Sequence, residues 1–256
     1  MASSVYTAVM AQVFTRQCGF VCTLVTIMMT TLNSHGADAS PQRQAMLQAI
    51  RESVSNSASY TGRSELSERV ITAMANVPRE AFVLPAYRHL AYDNTPLPIA
   101  AGQTISQPLI VALMTDLLDP QPTDIILEVG TGSGYQAAVL SGLVNRLYSI
   151  EIIEELAASA AARLAKLGYN NVTVRAGDGY AGWPEQAPFD GIIVTAAARE
   201  IPPPLLQQLR PGGKLVIPVG AEQGYQELLL VEVDDSGEIS KRSVLPVRFV
   251  PLTGER

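Results

Sequence analysis

One stretch constrains this chain more than any other: Ile125-Ile126-Leu127-Glu128-Val129, followed at once by Gly130-Thr131-Gly132-Ser133-Gly134-Tyr135-Gln136. Four apolar residues in five positions predict a strand buried on both faces, as parallel sheets require. Three alternate glycines let the backbone bend sharply and let a ligand approach the main chain. The helix predicted from Tyr135 presents unpaired N–H groups at its start. Strand, glycine turn and helix together predict a nucleotide-binding corner.

The pattern beyond the corner is regular. A helix over 135–144 precedes a strand over 146–151, and a helix over 153–167 precedes a strand over 172–175. A strand over 189–195, a helix over 201–209, an exit turn at Pro211-Gly212-Gly213 and a strand over 214–219 follow. This alternation predicts an α/β fold: a doubly wound, mostly parallel, Rossmann-like sheet. Segments 227–233 and 242–250 flank Asp234-Asp235-Ser236-Gly237, a hairpin turn, so the sheet is expected to end in antiparallel strands.

Upstream lies an N-terminal helical and loop region. Helical spacing covers 44–54 and 64–74, with Ser64 as the expected N-cap and the serine-rich stretch 53–59 as a loop. Val77-Pro78-Arg79 begins a further helical turn. Residues 92–99 carry two prolines and are expected to form no regular element. They run into Ala100 to Pro108, a long loop of hydroxyls and amides of the kind that usually carries function. Pro108 opens an apolar helix over 109–118.

Composition excludes several classes. A net charge of −6 over 256 residues, without a Lys/Arg run, argues against nucleic acid as a partner. Cys18 and Cys22 both precede residue 40, so the remainder has neither a disulfide frame nor a cysteine metal site. With only His35 and His89 besides, no metal site is expected, and His89 reads as a packed or surface residue. Residues 1–39 differ from the rest: Arg16 precedes an apolar run and Ala37-Asp38-Ala39 resembles a cleavage site. A secretory signal, a membrane anchor and an extension ahead of the true start all remain open. The expected division is a leader at 1–39 and one catalytic domain at 40–256.

The corner's spacing is Gly130-x-Gly132-x-Gly134, tighter than the dinucleotide fingerprint G-x-G-x-x-G. This disfavours a pyrophosphate, and with it a nicotinamide dehydrogenase. Glu151 ends the next strand, 21 residues after Gly130, where a carboxylate accepts hydrogen bonds from ribose hydroxyls. Asp178, between Gly177 and Gly179, ends the third strand, where it is placed to accept from an adenine amino group while Gly179 leaves the ring room. Each acid has a plainer alternative, since Glu151 also suits a helix cap and Asp178 a turn. At successive strand ends the set points to S-adenosyl-L-methionine and methyl transfer. A small-molecule methyltransferase and a non-catalytic binding protein are the rivals.

At this point the residues carry a narrower likeness. Leu97-Pro98-Ile99-Ala100-Ala101-Gly102-Gln103-Thr104-Ile105-Ser106-Gln107-Pro108 resembles the signature loop of the protein-L-isoaspartate O-methyltransferases. So do Val77-Pro78-Arg79-x-x-Phe82, the corner itself, Gly177-Asp178-Gly179, Ala187-Pro188-Phe189-Asp190, Thr195-Ala196-Ala197 and Val247-Arg248-Phe249-Val250-Pro251-Leu252. The resemblance implies methylation of the α-carboxylate of L-isoaspartyl residues in damaged proteins and peptides, which initiates repair through succinimide. It implies Ser106 as the active-site residue. It also implies Thr104, Ile105, Glu128, Gly130, Thr131, Gly132, Gly134, Glu151, Asp178, Gly179 and Thr253 at the cofactor, with Gln107 alongside. A cytoplasmic monomer is the expected form, because the cofactor is made there. From the residues alone, Ser106 also suits an N-cap of helix 109–118. Ala100 departs from the family's usual glycine, a cost of about 1 kcal/mol if that position has positive φ.

Overall fold

The computed structural model describes residues 40–221 and 224–254, so the leader at 1–39 and both cysteines lie outside the described residues. The first helices are α1 (Pro41–Asn56), α2 (Ala58–Thr61) and α3 (Glu68–Asn76). Two short 3-10 turns, Arg79–Ala81 and Pro85–Leu90, lead to β1 (Leu97–Pro98), β2 (Thr104–Ile105) and α4 (Pro108–Leu118). The alternating part comprises β3 (Ile125–Val129), α5 (Tyr135–Ser141), β4 (Arg146–Glu151), α6 (Glu154–Lys166), β5 (Val172–Ala176) and β6 (Phe189–Val194). It closes with α7 (Pro203–Gln207), β7 (Leu209–Gly220), β8 (Gln226–Val233) and β9 (Ile239–Val247).

Strands β3 to β9 form one sheet in the order β5-β4-β3-β6-β7-β8-β9. The pairs β3–β4, β4–β5, β3–β6 and β6–β7 are parallel, and β7–β8 and β8–β9 antiparallel. The chain builds outward from β3 to β5, then crosses back to β6 on the other side of β3. Ligand crevices open outside the carboxyl ends of strands at such a reversal. The sheet is buried on both faces. Ile126 joins Ile193, Val216 and the helices α1, α3, α4 and α5 in one core. Leu127 and Val129 join Ile192, Val194, Leu215 and Ile217 in the other. A period of two on a two-sided sheet produces this split.

The structure departs from the sequence reading at several places. The stretch 53–59 is helical apart from a break at Ser57, not a loop. Val54 is fully buried, and the hydroxyls of Ser53, Ser57 and Thr61 donate to the carbonyls of Ala49, Val54 and Ser57. Helix α3 starts at Ser67 rather than Ser64, with Ser67 Oγ accepting from Val70 N. The reason is tertiary: Ser67 N donates to Asp116 Oδ1 on α4 at 2.7 Å. The proline-bearing segment does form an element, because Leu97 and Pro98 pair antiparallel with Ile105 and Thr104. Pro98 lacks an N–H, which an isolated two-stranded pair tolerates. Pro211-Gly212-Gly213 is not an exit turn but lies inside β7, where the register against β6 shifts between Phe189 and Gly191. Helix α7 is correspondingly shorter than expected. His89 is exposed. Among the described residues no helix is long and apolar enough to cross a membrane.

The expected strain at Ala100 falls one residue later. Ala101 adopts φ 56 and ψ 28, the left-handed region, whereas Ala100 has no positive φ. The turn Ala100–Gly102 closes the β1–β2 pair, and Ile99 N donates to Gln103 O at 2.8 Å. A non-glycine residue in the left-handed region costs about 1 kcal/mol. Ala101→Gly is therefore expected to stabilise the protein by about 0.5–1 kcal/mol, and Ala100→Gly to destabilise it by a similar amount. Urea denaturation of both variants checks this, and equal effects of the same sign would contradict the strain at Ala101.

Candidate active site

The glycine corner is built by close packing. Gly130 follows β3 with φ +97, and a Cβ there would meet Thr195 Oγ1 at 2.5 Å. Thr195 follows β6; its N donates to Val129 O at 2.9 Å and its hydroxyl donates to Gly130 O. Only glycine lets the two strand ends come this near. Gly132 N donates to Glu151 Oε2 at 2.8 Å, which ties the turn to the end of β4. Gly134, at φ +86, caps α5, and a Cβ there would press on Leu164 of α6 at 3.2 Å. Gly134 therefore serves helix packing and does not line the crevice, a correction to its expected ligand role.

A crevice of about 870 Å³, counting its open mouth, lies over these ends. Gly130, Thr131, Gly132, Glu151 and Gly179 line it from the sheet side. Thr104, Ile105 and Ser106 line it from the loop, and Thr253 from the chain's end. Nine of the twelve expected site residues thus share one hollow.

Glu151 is buried and oriented. Besides the Gly132 N–H, its Oε1 accepts from Ile153 N at 3.0 Å. Two backbone donors fix its rotamer, while each oxygen retains a lone pair for a further donor. Capping and ligand roles are therefore compatible. Gly179 lines the crevice, but the space beside it is not open. A Cβ there would meet Val129 Cγ1 at 2.3 Å, so glycine is required by packing.

Two expected residues are placed elsewhere. Asp178 accepts from Tyr180 N at 2.9 Å and lines a neighbouring hollow with Tyr180, Arg199 and Pro202. Glu128 lies fully buried beneath the turn. Its Oε2 accepts from Ser149 Oγ, and Thr131 Oγ1 lies 2.6 Å from the same hydroxyl. Its Oε1 has no partner among the described residues. Burial pushes the Glu128 carboxyl up to about 8, the Ser149 bond opposing and the Glu151 charge adding. A chain of side chains thus runs from a neutral acid to Thr131 on the crevice wall. Position along the strand gives the reason: Glu128 is level with Ser149, two residues short of the strand-end Glu151, and so lies beneath the turn.

Ser106 is half-buried, and no protein group bonds its hydroxyl among the described residues. The expected capping role passes to Gln107, which occupies the N-cap of α4 without a side-chain cap bond. Gln107 Nε2 donates to Asn94 O, and Leu109 N donates to Asn94 Oδ1. Asn94 thus anchors the loop after Ser106, and the pairing of Thr104 and Ile105 with β1 anchors it before, on either side of a hydroxyl at the crevice. The sequence reading missed Ile150, Ile152 and Val250 as walls. Ile152 carried a usable signal: an apolar residue directly after the strand-end carboxylate, 39% exposed.

Comparison with known proteins bears on this arrangement. A family model described as Protein-L-isoaspartate(D-aspartate) O-methyltransferase matches residues 51–256. Protein-L-isoaspartate O-methyltransferase 2 of Syntrophobacter fumaroxidans is 58% identical over 212 residues, spanning 83% of this chain and 86% of its own. The protein of the same name from Nitrosococcus oceani is 59% identical over 210 residues, spanning 82% and 95%. Among solved structures, a protein-L-isoaspartate O-methyltransferase aligns with TM-score 0.72 at 26% identity, over 83% of this chain and 66% of that one. Another, from Plasmodium falciparum and in complex with S-adenosyl-L-homocysteine, aligns with TM-score 0.67 at 24% identity over 82% and 98%, a likeness of fold.

The buried acid gives a pH test. Folded Glu128 keeps its proton to about pH 8, whereas unfolded it loses it near 4.5. Its contribution to stability is therefore full below pH 4.5 and is lost as pH rises through about 8. Glu128→Gln cannot ionise and is expected to gain on the order of 5 kcal/mol on the parent across this window. Denaturation midpoints between these pH values check it; parallel curves for the two proteins would refute a neutral Glu128.

Proposed function

The chain belongs to the protein-L-isoaspartate(D-aspartate) O-methyltransferase family, and from this premise we propose how its crevice works. The enzyme transfers a methyl group from S-adenosyl-L-methionine to the free carboxylate of L-isoaspartyl residues in proteins and peptides. The methyl ester formed cyclises to succinimide as the backbone nitrogen displaces methanol, which opens the way back to ordinary aspartate. One observation carries the reading: the Thr104-Ile105-Ser106 loop and the glycine turn with Glu151 face each other across one crevice.

The lining suits the cofactor. Glu151, held by two N–H donors with lone pairs to spare, is suited to a ribose diol. Ile150 and Ile152 offer apolar contact to the base, and the bare turn at Gly130 and Gly132 admits close approach. Asp178, next to the crevice-lining Gly179, stands on the adenine side in this reading. Thr253 closes the site from the chain's end. When bound, the cofactor supplies an electrophilic methyl group on a sulfonium.

The chain's own residues then have few tasks. The attacking group is a carboxylate, ionised at neutral pH, so no general base has to create it. Ser106 donates one hydrogen bond to the carboxylate and orients it. The apolar walls and the closing tail exclude water, so orientation and desolvation carry the rate gain. Residues 40–256 form the catalytic unit in this reading, supported by the family match from residue 51. The cytoplasm is the proposed site of action, because the methyl donor is made there, and a monomer the proposed form.

Labelled methyl transfer to a peptide bearing isoaspartate, set against the same peptide bearing aspartate, tests the reading. Transfer to the isoaspartyl peptide alone is expected; equal labelling of both would refute it. Ser106→Ala is expected to lower kcat/KM for the isoaspartyl peptide by about 10- to 100-fold, as loss of a bond to a charged group implies. Its affinity for S-adenosyl-L-homocysteine should stay within about twofold by titration calorimetry.

A further inference from the structure

The motif Val77-Pro78-Arg79-x-x-Phe82 has no role in the mechanism above, yet it holds the most unusual charge in the protein. Arg79 is fully buried on its 3-10 turn. Its Nη2 donates to the carbonyl oxygen of Ser106 at 2.7 Å. Its Cζ lies 4.6 Å from the centre of the Tyr135 ring. Nε and Nη1 have no partner among the described residues, and no carboxylate there lies within ion-pair distance of it. A buried cation in this state is costly, and structures seldom retain one without use.

Its two contacts define that use. Ser106 belongs to the substrate loop, whereas Tyr135 is the first residue of α5, directly after the glycine turn. Both line the crevice. Phe82 packs edge-on against the same Tyr135 ring at 5.7 Å, so the motif grips the ring with its cation and its aromatic together. A planar guanidinium that bonds a carbonyl while lying over a ring face restricts both partners at once.

We propose that Arg79 is a positioning residue for the isoaspartyl carboxylate, fixing the Ser106 peptide against the Tyr135 side of the crevice. It acts through Ser106, not by touching the substrate. Its charge also matches the chemistry: the substrate group is an anion, and its entry supplies a counter-charge that the described residues lack. The cofactor half of the site hangs on Gly130, Gly132 and Glu151, none of which bonds Arg79. Loss of Arg79 should therefore separate the two ligands.

This inference rests on the isoaspartyl reading, so the parent protein's preference for isoaspartyl over aspartyl peptide is measured first. Absence of that preference overturns the reading itself, whatever Arg79 does. With the preference present, Arg79→Met is expected to raise KM for the isoaspartyl peptide about tenfold or more. Calorimetric affinity of the S-adenosyl-L-homocysteine-loaded protein for the peptide should weaken equally, while affinity for S-adenosyl-L-homocysteine itself stays within about twofold. Arg79→Lys keeps the charge and one donor and is expected to recover part of the peptide affinity. If the Met variant does not fold, the Lys variant carries the test, with peptide KM raised about threefold or more and cofactor affinity held. Unchanged peptide KM in a folded variant, or equal loss of both ligands, would overturn the role.

Discussion

Gly130 and Thr195 approach so closely that no side chain fits between them. They end adjacent parallel strands, β3 and β6, on either side of the point where the chain reverses its direction of build across the sheet. The Thr195 amide and hydroxyl seal the gap by bonding the carbonyls of Val129 and Gly130. With those ends locked, the backbone from Gly130 turns toward β4, where the N–H groups of Gly130 and Thr131 donate to the Ile150 carbonyl. Gly132 N reaches Glu151, so the turn and the end of β4 become one rigid piece. The crevice exists because these strand ends cannot move apart.

What surrounds that piece is graded by polarity. Beneath the turn lies a carboxyl without charge, Glu128, joined through Ser149 to Thr131. Above it stands Glu151, held by the backbone N–H groups of Gly132 and Ile153. Two glutamates two strand positions from equivalence thus sit in different surroundings. One holds the floor as a hydrogen-bonded acid, and the other lines the crevice. Facing them, the substrate loop contains no charge of its own, and the nearest cation on that side, Arg79, is buried behind it. The site is well suited to an anionic nucleophile that arrives already ionised and needs only direction.

The N-terminal helices serve this site indirectly. Helices α1, α3 and α4 share a core with the sheet, and Arg43 bonds Tyr92 Oη and the Ala75 carbonyl, joining α1 to the segment that precedes the loop. Asn94 then pins Gln107 and Leu109. Loops hold catalytic groups in place only when both flanks are anchored to rigid elements, and here the anchors lie in sequence far from the corner they oppose.

Much of this was legible in the residues. Strands β3 to β6, the turn at Gly130, the hairpin at Asp234-Asp235-Ser236-Gly237 and the acid at the end of β4 follow from apolar runs, glycine spacing and turn chemistry, which are local. The Ser106 loop was legible by likeness, and its residues do face the crevice. Other features were decided only when distant parts met. The start of α3 moved to Ser67 because Asp116 holds its amide, and left-handed strain fell on Ala101 because the two-residue pair β1–β2 closes there. Glu128 lies buried beneath the turn because it sits one layer below the strand end, level with Ser149, and Gly134 packs closely because α6 presses on it. Arg79 shows the limit most plainly: an arginine after Val-Pro has no partner in its own sequence neighbourhood. The sequence by itself determined the sheet, the corner and the loop, since these rest on short-range periodicity and backbone freedom. Tertiary structure alone decided which polar groups face the crevice and which lie beneath it, since that depends on what packs against each side chain from elsewhere in the chain.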